Sequence, residues 1–242
     1  MRLKILGSNS SGNCYILENE KTALIIECGV SVDRIKQALG FNLSKVAGCI
    51  VTHTHNDHAR TIGKLVKIGI PVLALPSVFS DHNVKKSRLT NLLFDGRGYR
   101  FGEFKVASFK VTHDVPCVGY LISHPEMGRL LFVTDTMTLD YRFTNLNNIM
   151  IEANYADEVL QERIERGEIP ASHRDRLRLT HMELETTKRV LSRQNLMATD
   201  NIILIHLSNE NSDAEQFQRE VTEATGKMVY VADANMTIDL TF

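Results

Sequence analysis

Thr52-His53-Thr54-His55-Asn56-Asp57-His58 places four imidazole or carboxylate groups within six residues, directly after the apolar run Gly48–Thr52. The chain has 9 His in 242 residues. At that composition an HxHxDH pattern arises by chance in roughly one chain in 1,500, so a clustered metal site is the better reading. In an extended loop His53 and His55 project to the same side, while Asp57 and His58 can turn toward a second point. One loop can therefore serve two neighbouring metals. A helix N-cap role would account for Asp57 alone and leaves the histidines without a reason.

Two divalent ions need about three protein ligands each and commonly a shared carboxylate. The loop's four groups are too few. Further candidates sit at the ends of apolar runs: His113 after Lys105–Thr112, Asp135 after Arg129–Thr134, and His206 after Asn201–Ile205. A strand end is where a scaffold can project a ligand into a shared cleft.

Outward from the cluster, the first half reads as short strands (Lys4–Leu6, Cys14–Glu18, Thr22–Glu27, Gly48–Thr52, Pro71–Ala74) with helices over Val32–Leu39 and Ala59–Ile68. More strands follow at Tyr99–Phe101, Lys105–Thr112, Gly119–Ser123, Arg129–Thr134 and Asn148–Glu152. A helix over Ala156–Glu165 precedes a loop around Pro170; then come a helix at Thr187–Asn195, a strand at Asn201–His206, a helix at Asp213–Thr225 and a strand at Met228–Ala232. Strands in both halves, separated by helices, predict an α/β fold of two sheets packed face to face with helices outside. With no repeat and no linker-like composition, residues 1–242 read as a single domain.

Composition bounds the partners. With 28 basic against 29 acidic side chains the net charge is −1, so no global positive field gathers phosphates and any polyanion must be met locally. Cys14, Cys28, Cys49 and Cys117 form no CxxC pair and read as free, packed thiols. No apolar run approaches the roughly 20 residues of a membrane span, and Gly7 and Ser8 interrupt the N-terminal apolar residues before a signal-peptide core can form. A cytoplasmic protein without a membrane partner is expected.

HxHxDH followed by an isolated strand-end His, Asp and His in that order resembles the metallo-β-lactamase superfamily. The resemblance implies an αββα sandwich of two mixed sheets with external helices and the metals at one edge. It also implies ligand sets: His53, His55 and His113 for the first metal, Asp57, His58 and His206 for the second, and Asp135 as the bridge. The bridging Asp135 is unlike the class B β-lactamases. Ala59-Arg60 replaces the Gly-Gly usual in glyoxalase II-like enzymes. The 70 residues between Asp135 and His206 cannot hold the β-CASP insertion, and the 21 between His113 and Asp135 leave no room for the tRNA-binding arm of ribonuclease Z.

What remains is the compact phosphodiesterase branch, and the chain is most similar to the YycJ/WalJ-like exonucleases. The similarity rests on Gly7-Ser8-Asn9-Ser10-Ser11-Gly12-Asn13-Cys14-Tyr15, the histidine cluster, His113-Asp114-Val115-Pro116 with Gly119-Tyr120, Glu152-Ala153-Asn154-Tyr155, and His206-Leu207-Ser208. Two positions depart from it. Glu27 stands where an Asp is usual, and His181-Met182-Glu183-Leu184-Glu185 replaces an expected His-Leu-Ser-Asn-Glu.

The implied activity is dinuclear metal-dependent hydrolysis of a phosphodiester, most readily at DNA or RNA ends. The metals would lower the pKa of a shared water toward 7 and neutralise the phosphate oxygens. Zinc is the default ion, and manganese or iron(II) also suit the ligands. Asp57 and His181 are the catalytic candidates, His181 as the acid that protonates the leaving oxygen. Arg174, Arg176 and Arg178 alternate before His181 and would share one side of an extended loop; with Asn154 they are the substrate-binding candidates. Lys85, Lys86 and Arg88 form a second basic cluster in a loop. A small cyclic phosphodiester such as a cyclic nucleotide is the alternative substrate. A thioester or lactone hydrolase and a non-catalytic binding module are weaker readings. Related compact phosphodiesterases suggest a homodimer.

Overall fold

The computed structural model describes residues 1–94 and 96–241. Two seven-stranded mixed sheets form the body. The first runs β14(Thr237–Asp239), β1(Arg2–Gly7), β2(Cys14–Glu18), β3(Ala23–Ile26), β4(Val46–Ile50), β5(Val72–Ala74), β6(Thr90–Leu92). The second runs β13(Met228–Val231), β12(Asn201–Ile205), β11(Asn148–Glu152), β10(Gly128–Val133), β9(Cys117–His124), β8(Phe104–Val111), β7(Gly98–Phe101). β3 to β6 are parallel in the first sheet and β10 to β13 in the second; the other pairings are antiparallel.

The central strands are short and almost wholly apolar because both of their faces are covered. Ile5, Tyr15, Leu24 and Ile50 from one sheet meet Phe104, Tyr120, Phe132 and Ile203 from the other in a buried core. The outer face of the first sheet, with Ile25, Cys49 and Val51, packs on Ile35 of α1(Val32–Ala38) and Leu65 of α3(Ile62–Lys67). The outer face of the second packs Ile149 and Leu204 on Val190 of α7(Leu184–Ser192) and Phe217 of α8(Ala214–Thr225). The four cysteines are free and buried.

Several elements differ from the sequence reading. The helix expected over Ala59–Ile68 is two, α2(Asn56–Ala59) and α3, so Asp57 and His58 lie inside a helical turn. The helix α4(Pro76–Asp81) opens on a proline, whose fixed φ suits a first turn. α7 starts at Leu184, earlier than expected, because Glu183 caps it by accepting from the Thr186 N–H. The largest change lies between α5(Asp157–Glu165) and α7. The stretch read as an extended loop is the helix α6(Ala171–Thr180). Arg174, Arg176 and Arg178 therefore do not share a side: at about 100° per residue Arg176 points away from the other two.

Candidate metal centre

The parallel strands, together with β8, which runs in the same direction as β10, bring their carboxyl ends to one edge of the sandwich, the place where open α/β sheets present ligands. β4 leads to His53, β8 to His113, β10 to Asp135, β11 ends at Glu152, and β12 leads to His206. Donor atoms of His53, His55, His113 and Asp135 lie within 4.8 Å of one another, as do those of Asp57, His58, Asp135 and His206. Asp135 belongs to both groups, and its two oxygens divide between them. Its Oδ2 lies 3.8 Å from Nε2 of His53 and of His113, while its Oδ1 lies 3.3 Å from His58 Nε2 and 3.7 Å from His206 Nε2.

The opposite ring nitrogens contact orienting groups, which is how a scaffold aims an imidazole. Nδ1 of His53 is 2.9 Å from Thr52 Oγ1, and Nδ1 of His113 is 2.9 Å from the Thr180 carbonyl oxygen at the end of α6. Nδ1 of His206 is 3.3 Å from Glu152 Oε1, and that of His58 is 3.7 Å from Glu27 Oε1. Glu27 is fully buried and accepts a hydrogen bond from the Thr52 N–H at 3.2 Å. Asn154, expected to meet substrate, is buried beneath His206 and donates its amide to the His206 carbonyl at 2.8 Å.

The backbone is bent to make these aims. Glu27, Asp135 and His206 all have left-handed φ, at 62°, 48° and 57°. Such a conformation costs a non-glycine residue about 1–2 kcal/mol, and it collects at functional sites. It lets each side chain leave its strand direction and turn into the shared cleft. The loop itself is clamped by Gly29: a Cβ there would sit 1.7 Å from the Asp57 carbonyl oxygen, which already accepts from the Asn13 N–H at 2.7 Å.

The electrostatics suit cations. Burial alone would raise Asp135, but His206 and His58 outweigh it and hold the carboxyl well below its usual range. Asp57 is held down likewise, with hydrogen bonds to His206 and His58 overcoming its burial. Burial and the neighbouring His58 keep His53 well below the usual imidazole value, so its ring stays neutral with a lone pair available. His206, against its burial, is pushed up to about 10 by Asp135 and Asp57. The buried carboxylates thus draw positive charge into the cleft. The buried Nε2 of His53 has no hydrogen-bond partner, a deficit of about 1–3 kcal/mol that a divalent cation would remove. Imidazole and carboxylate donors in this number fit such an ion.

Glu152, quoted in the sequence reading only as part of a motif, is the residue whose role was missed. Its Oε1 lies 2.6 Å from His181 Nδ1, and its Oε2 accepts from the N–H groups of Thr136 at 3.0 Å and Met182 at 3.2 Å. The signal was its place at the end of β11, the same strand-end rule that found Asp135. His181 is brought to the centre, with its ring stacked on His206 at 5.3 Å. Glu152 more than offsets the effect of burial and raises the His181 pKa. Asp114 also stands here, 3.1 Å from His113 Nε2 and 3.4 Å from His55 Nε2. Arg174 and Arg178 are instead spent on α5, donating to Gln161 at 2.6 Å and pairing with Asp157.

Residues 7–138, more than half of the chain, match the family model described as metallo-beta-lactamase superfamily. The chain belongs to the metallo-beta-lactamase superfamily. Within it, the chain is 25% identical over 240 residues to exodeoxyribonuclease YycJ of Bacillus anthracis, covering 92% of this chain and 88% of that protein. It is 27% identical over 230 residues to exodeoxyribonuclease WalJ of Streptococcus pneumoniae, covering 88% and 84%. Among solved structures, the metallo-beta-lactamase fold protein YhfI from Bacillus subtilis superposes with a TM-score of 0.73 at 15% identity, covering 98% of this chain and 99% of that one. The αββα architecture is therefore that of the superfamily. No helix among the described residues is long and apolar enough to cross a membrane.

Proposed function

We propose that this protein is a dinuclear metal-dependent phosphodiesterase that hydrolyses nucleic-acid ends. The observation that carries the reading is the division of Asp135 between two histidine-rich donor groups, with the Glu152–His181 pair alongside. The exodeoxyribonuclease names of two relatives that span most of the chain support it.

His53, His55 and His113 would hold one ion, Asp57, His58 and His206 the other, and Asp135 both. Zinc is the default, and manganese or iron(II) also suit these donors. Bound there, divalent ions supply Lewis-acid neutralisation of phosphate charge and an activated water near neutral pH. The chain's own residues do the rest. Asp57 Oδ2, 3.3 Å from His206 Nε2, presents a carboxylate that orients the attacking water. Glu152 holds His181 by Nδ1, which leaves Nε2 to face the leaving oxygen and give it a proton.

The test is to incubate the metal-loaded protein with 5′-phosphorylated DNA, RNA and cyclic mononucleotides, alongside a thioester and a lactone. Release of mononucleotides from polymer ends is expected. Hydrolysis confined to cyclic mononucleotides would replace the nuclease with a small-substrate phosphodiesterase, and hydrolysis confined to the acyl compounds would remove the phosphodiesterase reading altogether.

A further inference from the structure

A net charge of −1 hides a steep local imbalance. Between Ala59 and Arg100 the chain carries eight Lys or Arg against two acids, Asp81 and Asp95. Six of those cations follow the histidine loop or lie in the turn after α4: Arg60, Lys64, Lys67, Lys85, Lys86 and Arg88. All six are exposed, and none forms an ion pair with a described residue. Several cations elsewhere are paired, among them Lys45 with Glu18, Arg163 with Glu168, Arg178 with Asp157 and Lys188 with Glu220; what sets the six apart is their grouping along one flank.

The fold ties this patch to the metal centre. The His82 ring reaches back from the end of α4, its Nε2 2.7 Å from the carbonyl oxygen of Thr54, between His53 and His55. Arg60 stands beside the same loop and donates to the Ser11 carbonyl at 3.0 Å. Below it, Gly63 of α3 leaves the space against which Val84 packs, so α3 and the Val84–Leu89 turn lie side by side. β5 and β6 are parallel with Val72 opposite Thr90. The chain from His82 to Leu89 therefore descends from the metal edge to the opposite end of β6, and α3 descends next to it. The unpaired cations form a strip that begins at the metal loop and runs down the flank of the first sheet.

We propose that this strip is the track on which a single-stranded nucleic acid lies while its end occupies the metal centre. The proposal rests on the nuclease reading and specifies a polymeric substrate for it. A row of unpaired lysines and arginines matches a phosphate backbone and gives no base readout, so binding is sequence-independent and salt-dependent. A cyclic mononucleotide, with one phosphate, would not need a strip of this length. The α6 arginines, two of them tied to α5, are not part of it.

The experiment measures equilibrium binding of a phosphorothioate-linked single-stranded oligonucleotide of about 20 nucleotides to the metal-loaded protein over a range of salt. The triple variant Lys85→Ala, Lys86→Ala, Arg88→Ala is compared with a variant of equal charge change elsewhere, Lys21→Ala, Arg193→Ala, Arg219→Ala. Each lost phosphate contact removes about 0.7 from the slope of log affinity against log salt, so the first variant should lose about 2 and the second almost nothing. Equal slopes in both variants, or no DNA binding by the unaltered protein, overturn the proposal. Binding of an acidic peptide in preference to DNA does so too. DNA bound along the strip with no diester hydrolysed would defeat the nuclease reading and leave the strip; release of mononucleotides from DNA ends with equal salt slopes in the two variants would do the reverse.

Discussion

Glu152 Oε1 lies 2.6 Å from His181 Nδ1, and the carboxylate is completely buried. A buried carboxylate in that position fixes the ring and its tautomer. His181→Ala should therefore lower turnover of an unactivated diester by about 10²–10⁴-fold. A nitrophenyl diester, whose leaving group needs no proton, should lose far less, and metal content should not change. Equal losses on both substrates would remove the acid role.

Asp135 is the one side chain shared by the two main donor groups. Asp135→Ala should reduce bound metal, measured by elemental analysis, from about two ions per chain to one or fewer. Chelation of the unaltered protein removes a ligand of the folded state. At hundredfold excess over Kd that is about 2.7 kcal/mol per site, so its Tm should fall by roughly 5–10 °C for each ion removed, or about 10–20 °C for two. The Asp135→Ala protein should show a smaller drop.

Glu27 supports His58 from behind, against a burial that pushes its own pKa up. Glu27→Gln keeps the volume and removes the charge. Groups in this position commonly contribute 10–100-fold to metal affinity, and a competition titration against a coloured chelator should show a loss of that size at one of two sites. Unchanged affinity at both would reduce Glu27 to a packing residue.

Far from the centre, Glu18 is buried on β2 with Lys45 Nζ at 2.8 Å and Lys4 Nζ at 2.9 Å. Burial alone would raise its pKa, but the Lys45 and Lys4 ammoniums outweigh that and hold it below its ordinary value. A carboxyl depressed by folding contributes stability above its unfolded value of about 4.3, and that stability is lost as pH falls through the lower folded value. Glu18→Gln should cost roughly 1.5–3 kcal/mol at neutral pH. Denaturant unfolding should show the gap between the two proteins closing toward acid pH; a gap independent of pH would mean that the ion pairs contribute nothing.

The centre was legible in the sequence to the extent that its chemistry is local or lies at the end of an apolar run. His53, His55, Asp57 and His58 announce themselves by proximity, and His113, Asp135 and His206 by following strands. Glu152 obeys the same rule but was hidden by its neighbours in a motif. Arg174, Arg176 and Arg178 show the opposite failure. Alternation reads as period two in an extended chain, yet the 171–180 stretch is helical, and two of its arginines are drawn to Gln161 and Asp157 on α5.

The sequence by itself determined the candidate donor residues, their order and the strands that carry them, because apolar runs and donor side chains are properties of short segments. Only the tertiary structure decided how the two oxygens of Asp135 divide between the groups, that Glu152 serves His181 as well as His206, and which cations are left without an ion pair among the described residues. Those are relations between segments up to about 80 residues apart, set by sheet register and by left-handed turns at strand ends, and no local pattern encodes them.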